Sequence, residues 1–151
     1  MNTQHAFTIV TALAMSGCYL KPMSSTPPVQ TQEGVRVGLA GEDCEDHIGA
    51  EGKSLTRSLD VKLSIYNPTP EALRFSPSAI HLSADEWSAT PLGTTSVQVA
   101  PGQTRDVVVA FLHPSQCDND FTIAFGEALT LGEQRLAVAN VRFNPLGRFR
   151  R

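Results

Sequence analysis

The stretch Leu59-Asp60-Val61-Lys62-Leu63-Ser64-Ile65-Tyr66 decides the fold class. Leu, Val, Leu and Ile recur at every second position, with Asp, Lys and Ser between them. A period of two is that of a strand with one buried face, because successive side chains of a strand point to opposite sides. On a helix the same four apolar residues would be spread around the circumference and could not share a stripe. The rhythm returns at Val35–Leu39, Val97-Gln98-Val99, Phe121–Phe125 and Leu136–Phe143. Thr104–Leu112 contains Val107-Val108-Val109-Ala110-Phe111, apolar enough for a central strand. Ala79–Leu82 and Ala128–Leu131 are weaker candidates. Between the runs stand Asn67-Pro68-Thr69-Pro70, Ala100-Pro101-Gly102-Gln103, His113-Pro114-Ser115 and Leu131-Gly132-Glu133-Gln134, residues that set turn dihedrals. The pattern predicts an all-β, antiparallel two-sheet sandwich of about 7–8 strands over residues 34–145.

With 41% apolar residues in a chain of 151, there is enough for one such core. The formal charge is -3 and no dense basic stripe occurs, so nucleic acid is not an expected partner. The one basic run, Arg148-Phe149-Arg150-Arg151, falls in residues 146–151 and reads as a solvated tail.

The beginning of the chain has a different composition. Ala6–Ala14 is an unbroken run of small and apolar residues, with Thr8 and Thr11 its only hydroxyls. It is too short to span a bilayer, which takes about 20 residues, and suits the apolar region of a cleaved signal peptide. Residues 19–33 read YLKPMSSTPPVQTQE, with three prolines and no apolar period. Such a segment is a flexible tether, with an end-to-end distance of roughly 20 Å. Between run and tether lies Met15-Ser16-Gly17-Cys18, which resembles the lipobox of bacterial lipoproteins. The resemblance implies a signal peptide at 1–17, cleavage before Cys18, a lipid on the Cys18 sulfur, and a lipidated tether at 18–33. The membrane, reached through that lipid, is then the first expected partner. Tyr19, not Asp, follows the cysteine, which by the same analogy points to the outer membrane.

The pair of segments LSIYNPTPEALRF (63–75) and VAPGQTRDVVVAF (99–111) is similar to immunoglobulin-like, telokin-like domains of bacterial envelope lipoproteins. In those a strand ends in Asn before a turn, and a later Pro-Gly turn launches a strand ending in Phe. An immunoglobulin-like topology is what the resemblance implies.

Three cysteines are an odd number for an exported chain. With Cys18 lipidated, Cys44 and Cys117 remain as an even pair in an oxidising compartment, and a disulfide between them is expected. Both lie in polar, loop-like surroundings, Gly41–Asp46 and Ser115–Asp120. The alternative is a metal site built from Cys44, His47 and Cys117, with mixed sulfur and nitrogen ligands. Asp118-Asn119-Asp120 lacks the Gly and terminal Glu of a calcium loop.

No Gly-x-Ser-x-Gly elbow or phosphate-binding glycine loop occurs. His81 and His113 are expected as surface or strand-end residues, and Trp87 as a half-buried residue at a sandwich edge. No cofactor and no enzymatic activity are expected. The reading is a lipid-anchored envelope protein, periplasmic or on the cell surface, displaying its sandwich to an envelope protein as a non-enzymatic interaction or structural module. Metal binding or delivery through Cys44, His47 and Cys117 is the second reading.

Overall fold

Leu59, Val61, Leu63 and Ile65 are fully buried, while Asp60 and Lys62 on the opposite face are exposed. The period-two stretch is thus the centre of a strand, and its alternation sorts core from solvent. The computed structural model describes residues 27–48, 55–93, 95–113, 117 and 119–145, without the side chains of 46–48, 55 and 56. The signal segment, Cys18, most of the tether and the basic tail lie outside the described residues. Among those described, no helix is long and apolar enough to cross a membrane.

The strands are Val29–Gln30 (β1), Arg36–Ile48 (β2), Leu55–Tyr66 (β3), Leu73–Phe75 (β4), His81–Ala84 (β5), Trp87–Ala89 (β6), Val97–Val99 (β7), Thr104–His113 (β8), Phe121–Ala124 (β9), Leu129–Leu131 (β10), Gln134–Arg135 (β11) and Val141–Phe143 (β12). One antiparallel sheet has the order β1-β2-β3-β8. Its central strand β3 is paired on both sides, with Tyr66 opposite Arg36 and Thr104, and Leu59 opposite Cys44 and Phe111.

The remaining strands form two hydrogen-bonded groups, β11-β10-β4-β7 and β12-β9-β5-β6. They are two separate antiparallel sheets of corresponding strand order. The order is the same in both: β11 continues into β12, β10 follows β9, β4 leads to β5, and β6 leads to β7. The break between them falls where ladder bonding fails. Pro77, which has no N–H, opens a 3-10 turn at Pro77–Ala79 between β4 and β5. On the neighbouring path, Gly126 adopts φ +51° between β9 and β10. A Cβ there would come within 3.0 Å of the Ala79 carbonyl oxygen, so the position takes glycine on both counts. The Ser76 N–H donates to the Ala128 carbonyl at 2.7 Å and carries the β4–β10 pairing one step further. The expected all-β, antiparallel sandwich is present, built from three four-stranded sheets.

All three sheets contribute to a single core. Val35, Val37, Leu59, Val61, Leu63, Ile65, Val109 and Phe111 meet Leu73, Phe75, Leu82, Phe121, Ile123, Leu129 and Val141. Each fully buried Phe or Leu stabilises by about 1.5–3 kcal/mol relative to exposure.

Asn67 ties the turns at one end. It is 0% exposed. Its Nδ2 donates to the carbonyls of Glu71 (2.7 Å) and Val99 (2.9 Å), and its Oδ1 accepts from the Thr69 N–H and hydroxyl. Its backbone N–H donates to Gln103 O, and Gly102 N–H donates to its carbonyl. The Asn-Pro turn and the Pro-Gly turn seen in the sequence are therefore one hydrogen-bonded structure.

Two segments differ from the sequence expectation. The folded body starts before Gly34, inside the stretch read as tether. A turn over Thr31–Gly34, with Gly34 at φ +84°, lays Val29–Gln30 back against Arg36 and Val37. Pro28 and Pro27, without N–H groups, end that pairing. Leu136–Phe143 alternates as expected, but only Val141–Phe143 joins a ladder. Leu136 is buried and donates its N–H to Leu129 O, and Val138 packs on the core without a strand partner.

Candidate functional site

Gly41–Asp46, expected as a loop, is strand in the structure, the middle of the 13-residue β2. The reason is a β-bulge. Leu39 faces Leu63, yet Gly41 faces Lys62, so Ala40 is an extra residue. Before the bulge, Val35, Val37 and Leu39 point inward. An extra residue shifts the alternation by one. Beyond it Glu42 lies opposite the buried Val61 and Cys44 opposite the buried Leu59. The bulge therefore turns Cys44 toward the interior and leaves Asp43 and Glu45 exposed on the outer face.

There the Cys44 sulfur is bonded to Cys117, with 5.8 Å between Cα atoms and a sequence separation of 73. The bond ties β2 to the connection between β8 and β9. Beside it stands His113, the last residue of β8, only 3% exposed. Its Nε2 lies 3.7 Å from the Cys44 sulfur. The Trp87 indole stacks on the imidazole at 5.5 Å, and Phe121 meets it edge-on at 5.1 Å. Phe143 stacks on Phe121 at 5.7 Å. His113 is thus a strand-end residue, as expected, but its ring is buried and not at the surface. It follows Val109 and Phe111 on the buried side of β8, and the ring is held between aromatic faces and a disulfide. Exposed His81 lies on β5. Trp87 is half-buried on the edge strand β6, with its Nε1 buried and unpartnered among the described residues.

This arrangement bears on the metal reading. A sulfur in a disulfide is not a thiolate ligand, so Cys44 and Cys117 do not supply a metal set with His47 in this structure. His47 lies on β2 opposite Thr56, with its side chain outside the described set. Among the described residues no three His, Cys, Asp or Glu side chains are grouped to hold a metal ion.

The outer face of the first sheet carries a shallow groove of about 530 Å³. Gly38 and Ser64 form its low floor, with Arg36, Tyr66 and Thr104 on one side and Lys62 and Asp106 on the other. The Arg36 guanidinium sits 4.5 Å from the centre of the Tyr66 ring. Lys62 bonds Asp106 at 2.9 Å, and that bond holds the Asp106 carboxyl below its ordinary value against a smaller opposing effect of burial. Along the β8 edge of the same face, Leu92, Val108 and Leu112 are exposed. The Leu92 N–H donates to Ala110 O at 2.8 Å, which sets Leu92 beside β8.

No protein-family model matches the chain, and no curated protein matches it. Among solved structures it is similar to "putative lipoprotein (ycdA)" from Bacillus subtilis, at TM-score 0.59 and 7% identity, over 80% of this chain and 39% of that one. A protein from Archaeoglobus fulgidus aligns at TM-score 0.45 and 9% identity, over 71% of this chain and 97% of that one. The chain spans about two fifths of the Bacillus protein, and the likeness is one of fold.

Proposed function

We propose that this chain is a lipid-anchored protein of the bacterial cell envelope whose sandwich, of immunoglobulin-like type, acts as a non-enzymatic interaction or structural module. The signal peptide 1–17 is removed, Cys18 carries the lipid, and the tether holds the domain off the membrane surface. The anchor is in the outer membrane, and the partner is an envelope protein. The observation that carries this reading is the cysteine pairing. Cys44 and Cys117 are joined, so of three cysteines only Cys18 stands outside the bond. That cysteine ends Met15-Ser16-Gly17-Cys18 and begins a proline-rich tether. A disulfide suits an oxidising compartment outside the cytosol. The name and fold of the Bacillus protein support the same address.

The test is an intact mass of natively expressed, unreduced protein from the membrane fraction, beside a Cys18→Ser variant. The expected mass lacks residues 1–17, carries lipid, and is two hydrogens short; the variant is no longer membrane-bound. A full-length mass without lipid, or unchanged membrane association of Cys18→Ser, would overturn the anchor.

A further inference from the structure

We propose that the outer edge of β2, from Gly41 to Ile48, is a strand-addition site for an extended protein segment carrying Lys or Arg at alternate positions. The inference rests on the interaction-module reading and gives it an edge and a class of partner. β1 pairs with β2 only at Arg36 and Val37. Beyond Val37, among the described residues, no strand pairs with β2 on the side away from β3. An edge strand directs alternate N–H and C=O groups outward, the template on which strand addition works.

The charges select the occupant. Glu42, Asp43, Glu45 and Asp46 put four negative charges into five residues of a chain whose total is -3. Asp43 and Glu45 are exposed on the outer face, and no ion pair holds either among the described residues. Asp43 also faces Asp60 directly across the β2–β3 ladder, and Asp60 is exposed too. Like charges so placed repel each other, and a cation brought beside them relieves that repulsion. The same charges keep a second copy of β2 from pairing with this one. A partner strand lying about 4.8 Å from β2 would set its basic side chains beside Asp43 and Glu45. The residue between them would face the Cys44 side of the sheet.

The probe is a synthetic peptide of alternating Arg and Val, titrated calorimetrically into the full chain. A second peptide has the same sequence with alternate backbone amides N-methylated on its pairing edge, which keeps every charge and removes the ladder donors. The expected result is saturable binding of the first peptide, with slowed amide exchange at residues 41–48. The N-methylated peptide binds about tenfold or more weakly, as does the first peptide to an Asp43→Lys/Glu45→Lys variant that melts like the parent. Equal binding of both peptides would reduce the interaction to loose charge attraction and overturn the proposal, as would no binding or protection elsewhere. The membrane anchor is read by mass and is untouched by either result.

Discussion

Replacing both Cys44 and Cys117 with Ser should cost this fold more than any other pair of surface-near substitutions. The bond closes a loop of 73 residues. In the chain-entropy account, a closure of that length removes about 4 kcal/mol of freedom from the unfolded ensemble at 25 °C. A folded body of roughly 115 residues unfolds with an entropy near 0.24 kcal/mol/K, so the loss corresponds to a fall in Tm of about 15 °C. Urea unfolding of the parent, the parent with reductant, and the double variant measures it. The two thiol-free or reduced forms should agree, and the denaturant slope should rise as the unfolded chain expands. A Tm within about 5 °C of the parent would refute the reasoning, because the closure would then be doing little that packing of β2 against β3 does not already do.

Other consequences follow from single residues. Asn67→Ala removes the donors to Glu71 O and Val99 O and the acceptor for Thr69, and should cost about 2–4 kcal/mol in urea unfolding. Gly126→Ala places a Cβ against Ala79 O at a positive φ and should cost about 1–3 kcal/mol, read as a lowered melting temperature. Asp106 should titrate below the ordinary Asp value in NMR because of Lys62, and return toward it in Lys62→Ala. A depressed folded-state pKa means that this contribution is present above about pH 4 and lost as pH falls through the lower folded value. Both side chains are nearly half exposed, so the stability difference should stay under about 1 kcal/mol.

The fold was legible where a residue's position in the alternation and its place in the ladder coincide. Leu59–Ile65 and Phe121–Phe125 show this: each apolar residue in the pattern is buried. The turn residues were legible for the same local reason, since Pro and Gly restrict dihedrals whatever surrounds them. The bond between Asn67 and the Pro101-Gly102 turn was not, because it joins turns 35 residues apart that meet only when β8 pairs with β3. Leu136–Val138 misled by the opposite route. Alternation reports burial, and here burial is gained on the core without a neighbouring strand to pair with. His113 was legible as a strand end but not as buried, because its ring is enclosed by Trp87, Phe121 and the Cys44 sulfur, which only the packing of β6, β9 and β2 around β8 brings together.

The acidic stretch around Cys44 was the hardest part of the site to read, and one residue explains why. Val35, Val37 and Leu39 set an odd-numbered inward face, and continuing it would place Gly41 and Asp43 inside, so the sequence looks like a strand that has ended. Ala40 resets the count. The device makes a sharp prediction: deleting Ala40 removes the bulge and leaves one unbroken alternation through β2. Leu39 still faces Leu63 and Gly41 still faces Lys62, so every pair beyond them keeps its partner. Cys44 stays opposite Leu59 and inward, and Asp43 and Glu45 stay on the outer face. Thiol counting on the unreduced variant should find Cys44 and Cys117 still joined, with amide exchange along β2 as slow as in the parent. Free thiols in a large share of molecules, with fast exchange from residue 41 onward, would overturn the reasoning, because Ala40 would then do more than reset the count.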